Sequence, residues 1–343
     1  MGASLLLIRA DASVPIGTGH VMRCLALAQA WVHAGGVAVF AAAEIPTSLR
    51  ERLTGLGFSL VDIRAEGGSL SDAFETIANA DRLQADWVAI DGDRFGSAYL
   101  DAVSRADRRV LLIDDFADRE SFPCELIVNP NLGAAAGDYQ VRGFHGAVMA
   151  GSSYVLLRPE FRLPDATDRQ TAGNRVLITL GGSDPENLTP RIAAALKDCG
   201  ELEISVVVGA AYPHVDELQR TAAQEIRVLC DARNMAALMH DADIAIIAAG
   251  GTLWELLSMG CAVLSYSRNV VQARVVSDLA KAGVVVDLGD TSSFDPQRLA
   301  QAVKGLAGSA TRRQRMVELG RKMIDGLGAS RVVEALLQRR GHA

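Results

Sequence analysis

Short runs of β-branched and leucine-rich residues alternate along this chain with stretches of helical periodicity. Strands that read as continuous apolar runs are buried on both faces, so the pattern calls for parallel sheets clad by helices. In the first half the strand candidates are residues 4–9, 37–42, 59–63, 86–90, 109–113 and 125–128, with helices over Val21–Ala34, Ser48–Leu56 and Ser97–Arg105. From Leu157 to Gly173 the alternation stops, giving way to two prolines, several charges and no periodicity. It resumes with strands near 175–180, 204–208, 226–229, 244–248, 262–266 and 284–286, and helices near Pro190–Lys197, Met235–His240, Leu253–Met259 and Gln272–Ala282.

A chain of 343 residues exceeds what one core usually supports. The expected organisation is therefore an α/β domain over 1–157, a linker over 158–173 and a second α/β domain over 174–343, whose terminal helices pack back on the first. Two Rossmann-like domains of this kind face each other across a cleft. Ligand-binding residues then belong on the loops that follow the carboxyl ends of the strands.

Composition removes several function classes. The net charge of −7 comes from intermixed acidic and basic residues, and no basic face of the kind a nucleic-acid binder carries is visible. The segment Arg312 to Arg340 is locally basic, but Glu318, Asp325 and Glu334 interrupt it. Cys24, Cys124, Cys199, Cys230 and Cys261 are odd in number and never paired as C-x-x-C, which fits reduced thiols and a cytoplasmic protein. The most apolar stretch, Ile244 to Tyr266, contains Glu255 and several glycines and is no membrane span. A small-molecule partner, a monomer, and no cofactor or metal are the expectations.

Four loops sit at strand ends where ligands belong. Gly17-Thr18-Gly19-His20 follows the first strand, and His20 falls in the first turn of a helix. The positive end of that helix disfavours imidazolium, which predicts a lowered pKa and a neutral ring able to accept a proton. Asp11, just upstream, is expected to orient His20 or a sugar hydroxyl, and Arg9 to contact substrate. Gly181-Gly182-Ser183-Asp184-Pro185-Glu186-Asn187 follows the first strand of the second half. It fits a helix start or a phosphate grip equally, the candidate contacts being Gly182, Ser183 and Asn187.

Gly250-Gly251-Thr252 offers free N–H groups to a diphosphate. Glu255, one turn on, either accepts from a ribose diol or closes a capping box with Thr252. Gln272, at the start of a later helix, is in reach of phosphate or sugar. Acidic residues after two further strands, Asp91 and Asp93 in one loop and Asp114 and Asp115 in the other, serve sugar hydroxyls or helix caps equally well. None has metal-ligand spacing.

Together these segments resemble the pseudaminic-acid pathway UDP-sugar hydrolases and their spore-coat relatives. The resemblance is carried by Ile8-Arg9-Ala10-Asp11, Gly17-Thr18-Gly19-His20-Val21-Met22-Arg23-Cys24-Leu25, Ile113-Asp114-Asp115, Leu156-Leu157-Arg158-Pro159-Glu160-Phe161-Arg162, Gly181 to Thr189 and Gly250 to Gly260. It implies the glycosyltransferase-B fold and metal-independent hydrolysis of UDP-2,4-diacetamido-2,4,6-trideoxy-β-L-altropyranose to free sugar and UDP. It further implies His20 as the base that activates water, and Gly250, Gly251, Thr252 and Glu255 as the UDP grip. Two places depart from the family pattern: Asp91-Gly92-Asp93 stands for Asp-x-Tyr, and Val271 precedes Gln272 where asparagine is usual. Both bear on the sugar side. A UDP-sugar glycosyltransferase and a non-catalytic nucleotide-sugar-binding relative remain as alternatives.

Overall fold

The structure, a computed structural model, describes residues 3–106, 108–162, 172–182, 184–209, 212–221, 226–232 and 234–339. The chain divides into two compact units, Met1–Pro159 with Gly326–Ala343, and Glu160–Asp325. Most of the expected linker lies outside the described residues.

In the first unit the elements run β1 (Leu5–Ala10), α1 (Gly19–His33), β2 (Val37–Ala42), α2 (Thr47–Gly55), β3 (Ser59–Asp62), α3 (Leu70–Leu83), β4 (Trp87–Asp91), α4 (Ser97–Arg105), β5 (Val110–Ile113), β6 (Leu126–Asn129), α5 (Ala136–Gln140) and β7 (Ala147–Ala150). All pairings are parallel, in the order β3-β2-β1-β4-β5-β6-β7. The edge strand β7 was not among the six expected. Ala147-Val148-Met149-Ala150 is short and only half-buried, so its apolar signal is weak.

In the second unit follow β8 (Arg175–Thr179), α6 (Thr189–Ala195), β9 (Glu203–Val208), α7 (Val215–Thr221), β10 (Ile226–Cys230), α8 (Met235–Asp241), β11 (Ile244–Ala248), α9 (Gly251–Met259), β12 (Ala262–Ser267), α10 (Val270–Lys281), β13 (Val285–Asp290), α11 (Pro296–Ala307) and α12 (Ala310–Met323). The sheet is again parallel, ordered β10-β9-β8-β11-β12-β13. Both units are Rossmann-like. The last helix, α13 (Gly328–Arg339), returns to the first unit, where Ala329, Val332, Val333 and Leu336 join the core formed by α1 and one face of the sheet.

Side-chain alternation fixes what each strand end presents. Along β1, Leu6, Ile8 and Ala10 belong to the core layer under α1, whereas Leu7 belongs to the layer under α3 and α4. Along β4, Trp87 and Ala89 face α1, and Val88 and Ile90 face away. Each sheet also reverses its winding direction once, between β1 and β4 and between β8 and β11. Ligands of open parallel sheets bind outside the carboxyl ends of the strands at such a switch point. In the first unit that spot lies beside the loops carrying His20 and Asp91. In the second it lies beside the two glycine pairs.

Candidate active site

His20 occupies the first turn of α1, behind a glycine turn in which Gly17 adopts a left-handed φ of 80° and donates its N–H to the Ser13 carbonyl at 2.8 Å. A Cβ built on Gly19 would meet nothing within 4 Å, so packing does not demand that glycine. The imidazole Nδ1 lies 2.7 Å from Oδ1 of Asp91, the last residue of β4. Asp91 continues the Trp87–Ala89 stripe towards α1 and is fully buried there. It also accepts from Arg23 Nε and Nη2, both at 2.6 Å. Arg23, one turn beyond His20, forms a second fork with Asp115 at 2.8 Å on each arm, and Asn131 donates to Asp115 at 3.0 Å.

This network biases the protonation chemistry. Burial opposes charge on His20, but the hydrogen bond and field of Asp91 outweigh it and raise the pKa above the ordinary histidine range. The expected lowering is therefore overturned, because a buried carboxylate at contact distance outweighs the partial charge of a helix end. Burial likewise opposes the Asp91 anion, yet Arg23 and then His20 hold its carboxyl well below the usual range. Asp91 is thus ionised and accepts the Nδ1 proton, leaving Nε2 as the nitrogen that can take another. Asp91 consequently orients the ring, a role the sequence reading gave to Asp11.

Asp11 and Arg9 are engaged with other partners. Arg9 is completely buried and its fork closes on Asp11 at 2.6 and 2.9 Å and on Asp72 at 2.9 and 2.7 Å. Asp11 also accepts from the Ala43 and Glu44 amides at 2.7 and 3.2 Å and from Arg94 at 3.2 Å. Arg9 is a strut binding β1 to α3, inaccessible to substrate, and its expected contact role is withdrawn. Asp11 makes no hydrogen bond to His20.

A pocket of about 300 Å³ opens here, lined by Asp11, Pro15, Ile16, His20, Asp91, Gly92, Asp93, Arg94 and Phe95. Gly92, at φ 147°, is required by the fold, since a Cβ would stand 3.0 Å from the Phe95 ring. Asp93 is exposed at the pocket, and no hydrogen bond to it is found among the described residues. Asp114 is occupied differently, accepting from the Ala117 amide and the Tyr139 hydroxyl, at 2.7 and 2.8 Å, and from Arg119.

In the second unit, Ser183 lies outside the described residues. Its neighbour Asp184 is buried and accepts from the Leu188 and Thr189 amides at 3.2 and 2.8 Å, so it caps the start of α6. Asn187 Oδ1 receives the Tyr212 hydroxyl at 2.5 Å. A Cβ on Gly209 would strike the Gly182 carbonyl, but a Cβ on Gly182 itself meets nothing within 4 Å. Structure therefore accounts for Asp184 and Asn187, and not for Gly182.

The third loop is different. The α9 helix starts at Gly251 with Gly250 as its cap residue and no side-chain cap, so Thr252 is inside the helix and forms no capping box with Glu255. Gly250 and Gly251 are exposed, and a Cβ on either meets nothing within 4 Å. Gly250 has an extended φ of 165° that any residue adopts. Neither strain nor packing accounts for this glycine pair. Gln272 spends its carbonyl oxygen on the Arg268 amide at 2.9 Å, while Asn269 accepts from the Gln272 amide at 2.9 Å. The side-chain NH2 is what Gln272 retains for a ligand. Among the described residues no group of three or more His, Cys, Asp and Glu could hold a metal ion, and no helix is long and apolar enough to cross a membrane.

No family model matches the chain. Among curated proteins it is similar to the UDP-2,4-diacetamido-2,4,6-trideoxy-beta-L-altropyranose hydrolase of Campylobacter jejuni, 27% identical over 288 residues, 82% of this chain and 98% of that one. The chain resembles this hydrolase. It is also 27% identical over 242 residues to the spore coat polysaccharide biosynthesis protein SpsG of Bacillus subtilis, 68% of this chain and 70% of that one. Among solved structures, MurG of Acinetobacter baumannii matches with a TM-score of 0.65 at 17% identity, over 98% of this chain and 100% of that one. The fold is that of the glycosyltransferase-B enzymes.

Proposed function

We propose that this chain is a cytoplasmic hydrolase that cleaves a UDP-linked 2,4-diacetamido-2,4,6-trideoxy hexose to free sugar and UDP, in the making of a nonulosonic (pseudaminic-type) acid. The observation that carries the reading is the His20–Asp91 pair opening on a pocket at the β1/β4 switch point. Water attacks the anomeric carbon as His20 Nε2 takes its proton. The bond from that carbon to the diphosphate oxygen breaks, and UDP leaves with the electron pair. Asp91 stabilises the imidazolium so formed.

General-base help of this kind is worth roughly 10²–10⁴-fold. The amides at Gly250, Gly251 and Thr252 receive the charge that grows on the leaving diphosphate. Glu255 takes the ribose diol, and Gly182, Asn187 and Gln272 border the same ligand. Gly17, Gly19, Asp11, Asp93 and Arg94 surround the sugar. The name of the Campylobacter jejuni relative agrees with this chemistry.

A second reading has one specific observation behind it. Val14 is 77% exposed and runs directly into the pocket-lining Pro15 and Ile16, an apolar rim suited to a transferase acceptor. One time course separates the two. The full chain is incubated with the family UDP-sugar, without acceptor or added metal, and UDP and free sugar are followed by NMR. Equimolar release of both supports hydrolysis. Absence of release with UDP still bound favours transfer to an acceptor. In His20→Ala turnover should vanish while UDP binding persists; undiminished turnover would remove His20 from the role of base.

A further inference from the structure

We propose that Arg268 is the cation that binds the diphosphate of the nucleotide in the second unit. This assignment rests on the nucleotide-sugar reading above and names a residue that the sequence motifs did not point to. Arg268 follows β12 directly, and β11 lies between β12 and β8 in the sheet. Its guanidinium nevertheless reaches the loop after β8. Nε donates to Glu186 at 3.0 Å, Nη2 lies 3.6 Å from Asp184, and a Cβ built on Gly181 would stand 3.6 Å from Nη1. The side chain therefore arches over the carboxyl end of β11, where the uncapped α9 begins at Gly251.

Several details fit a guanidinium with donors to spare. The Arg268 main-chain amide is fixed by Gln272, so only the side chain is adjustable. Nη2 is buried without a hydrogen-bond partner, and Nη1 donates to no group among the described residues. Nη2 has the Asp184 carboxylate at 3.6 Å but no hydrogen bond, and a buried donor in that state is costly unless a ligand completes it. Glu186 and Asp184 hold the fork in place from the β8 side, and the unspent donors remain over the switch point. The space above Gly250 and Gly251 is open. A diphosphate there meets helix amides from below and a planar fork suited to phosphate oxygens from beside.

The test is calorimetric titration of the full chain with UDP and, separately, with uridine. Arg268→Gln should weaken UDP about ten- to hundredfold while uridine affinity stays unchanged, as expected for loss of charge-assisted hydrogen bonds. Arg268→Lys should recover part of the loss, since it restores charge without the fork. The wild-type affinity for UDP should fall more steeply with salt than that of Arg268→Gln. Equal UDP affinity in wild type and Arg268→Gln overturns the assignment and leaves the nucleotide-sugar reading standing. Parallel loss of UDP and uridine also overturns it, because it marks Arg268 as a mere tie between loops. A wild-type chain that binds neither UDP nor uridine overturns both.

Discussion

A histidine joined to a buried, ionised carboxylate holds its proton to higher pH than a free imidazole does. Since the proposed base must be neutral, activity is lost as pH falls through that raised pKa. The acid limb of the kcat/KM profile should then lie above the ordinary histidine range. Asp91→Asn removes the charge that raises it, so the limb should shift to lower pH and kcat should fall; a pH–rate profile of the two proteins checks both. The Arg9 fork calls for a different measurement. Arg9→Met leaves Asp72 a buried carboxylate without a cation and Asp11 with Arg94 alone, and should cost about 3–5 kcal/mol in urea denaturation, as breaking a buried pair does. The partner of His20 was readable in principle. Asp91 shares strand parity with Trp87 and Ala89 and so faces α1, while Asp11 follows β1 in the parity of Leu7 and Arg9 and is held by the Arg9 fork. Proximity in sequence favoured Asp11, and parity decides against it.

At the scale of elements, the most informative helix start is that of α9. Its glycine pair has neither a strained φ nor a neighbour to clear, so alanine is tolerated by the fold. Gly250→Ala and Gly251→Ala should leave the melting temperature within about 1–2 °C, an effect near neutral for a surface position. Both should weaken UDP binding, measured by titration, because a methyl group stands where phosphate oxygens approach. Equal weakening of stability and binding would instead mark the pair as structural. The succession of strand, glycine pair and helix was legible in the sequence. It also offered a capping box that does not form, because the helix begins one residue before Thr252. Arg268 was invisible for a related reason: its meaning lies in strand order, with β11 between β12 and β8, and no local motif records that order.

For the whole molecule, the alternation of strands and helices was enough to read two parallel-sheet units, because strands buried on both faces leave long apolar runs. The weak edge strand β7 escaped for want of such a run. Where α13 packs depends on a distant partner. Its apolar stripe of Val332, Val333 and Leu336 fits any helix-on-sheet layer; a return of the terminal helices was expected, but that α13 alone returns, and meets α1, comes from the structure. Removing residues 327–343 should therefore unfold the first unit while the second keeps a cooperative melt. UDP at a hundred times its Kd should stabilise that remaining transition by about 2.7 kcal/mol, readable by scanning calorimetry.

The return of α13 also sets an order of events during synthesis. Helix α1 leaves the ribosome early, but the helix that covers its apolar face emerges only after the whole of Glu160–Asp325 has been made. The nascent first unit must wait, part of its core exposed to water and to chaperones, while the continuous second unit has every residue it needs to fold. Translation from the amino end would thus finish the two units in reverse, with the His20 unit completed last.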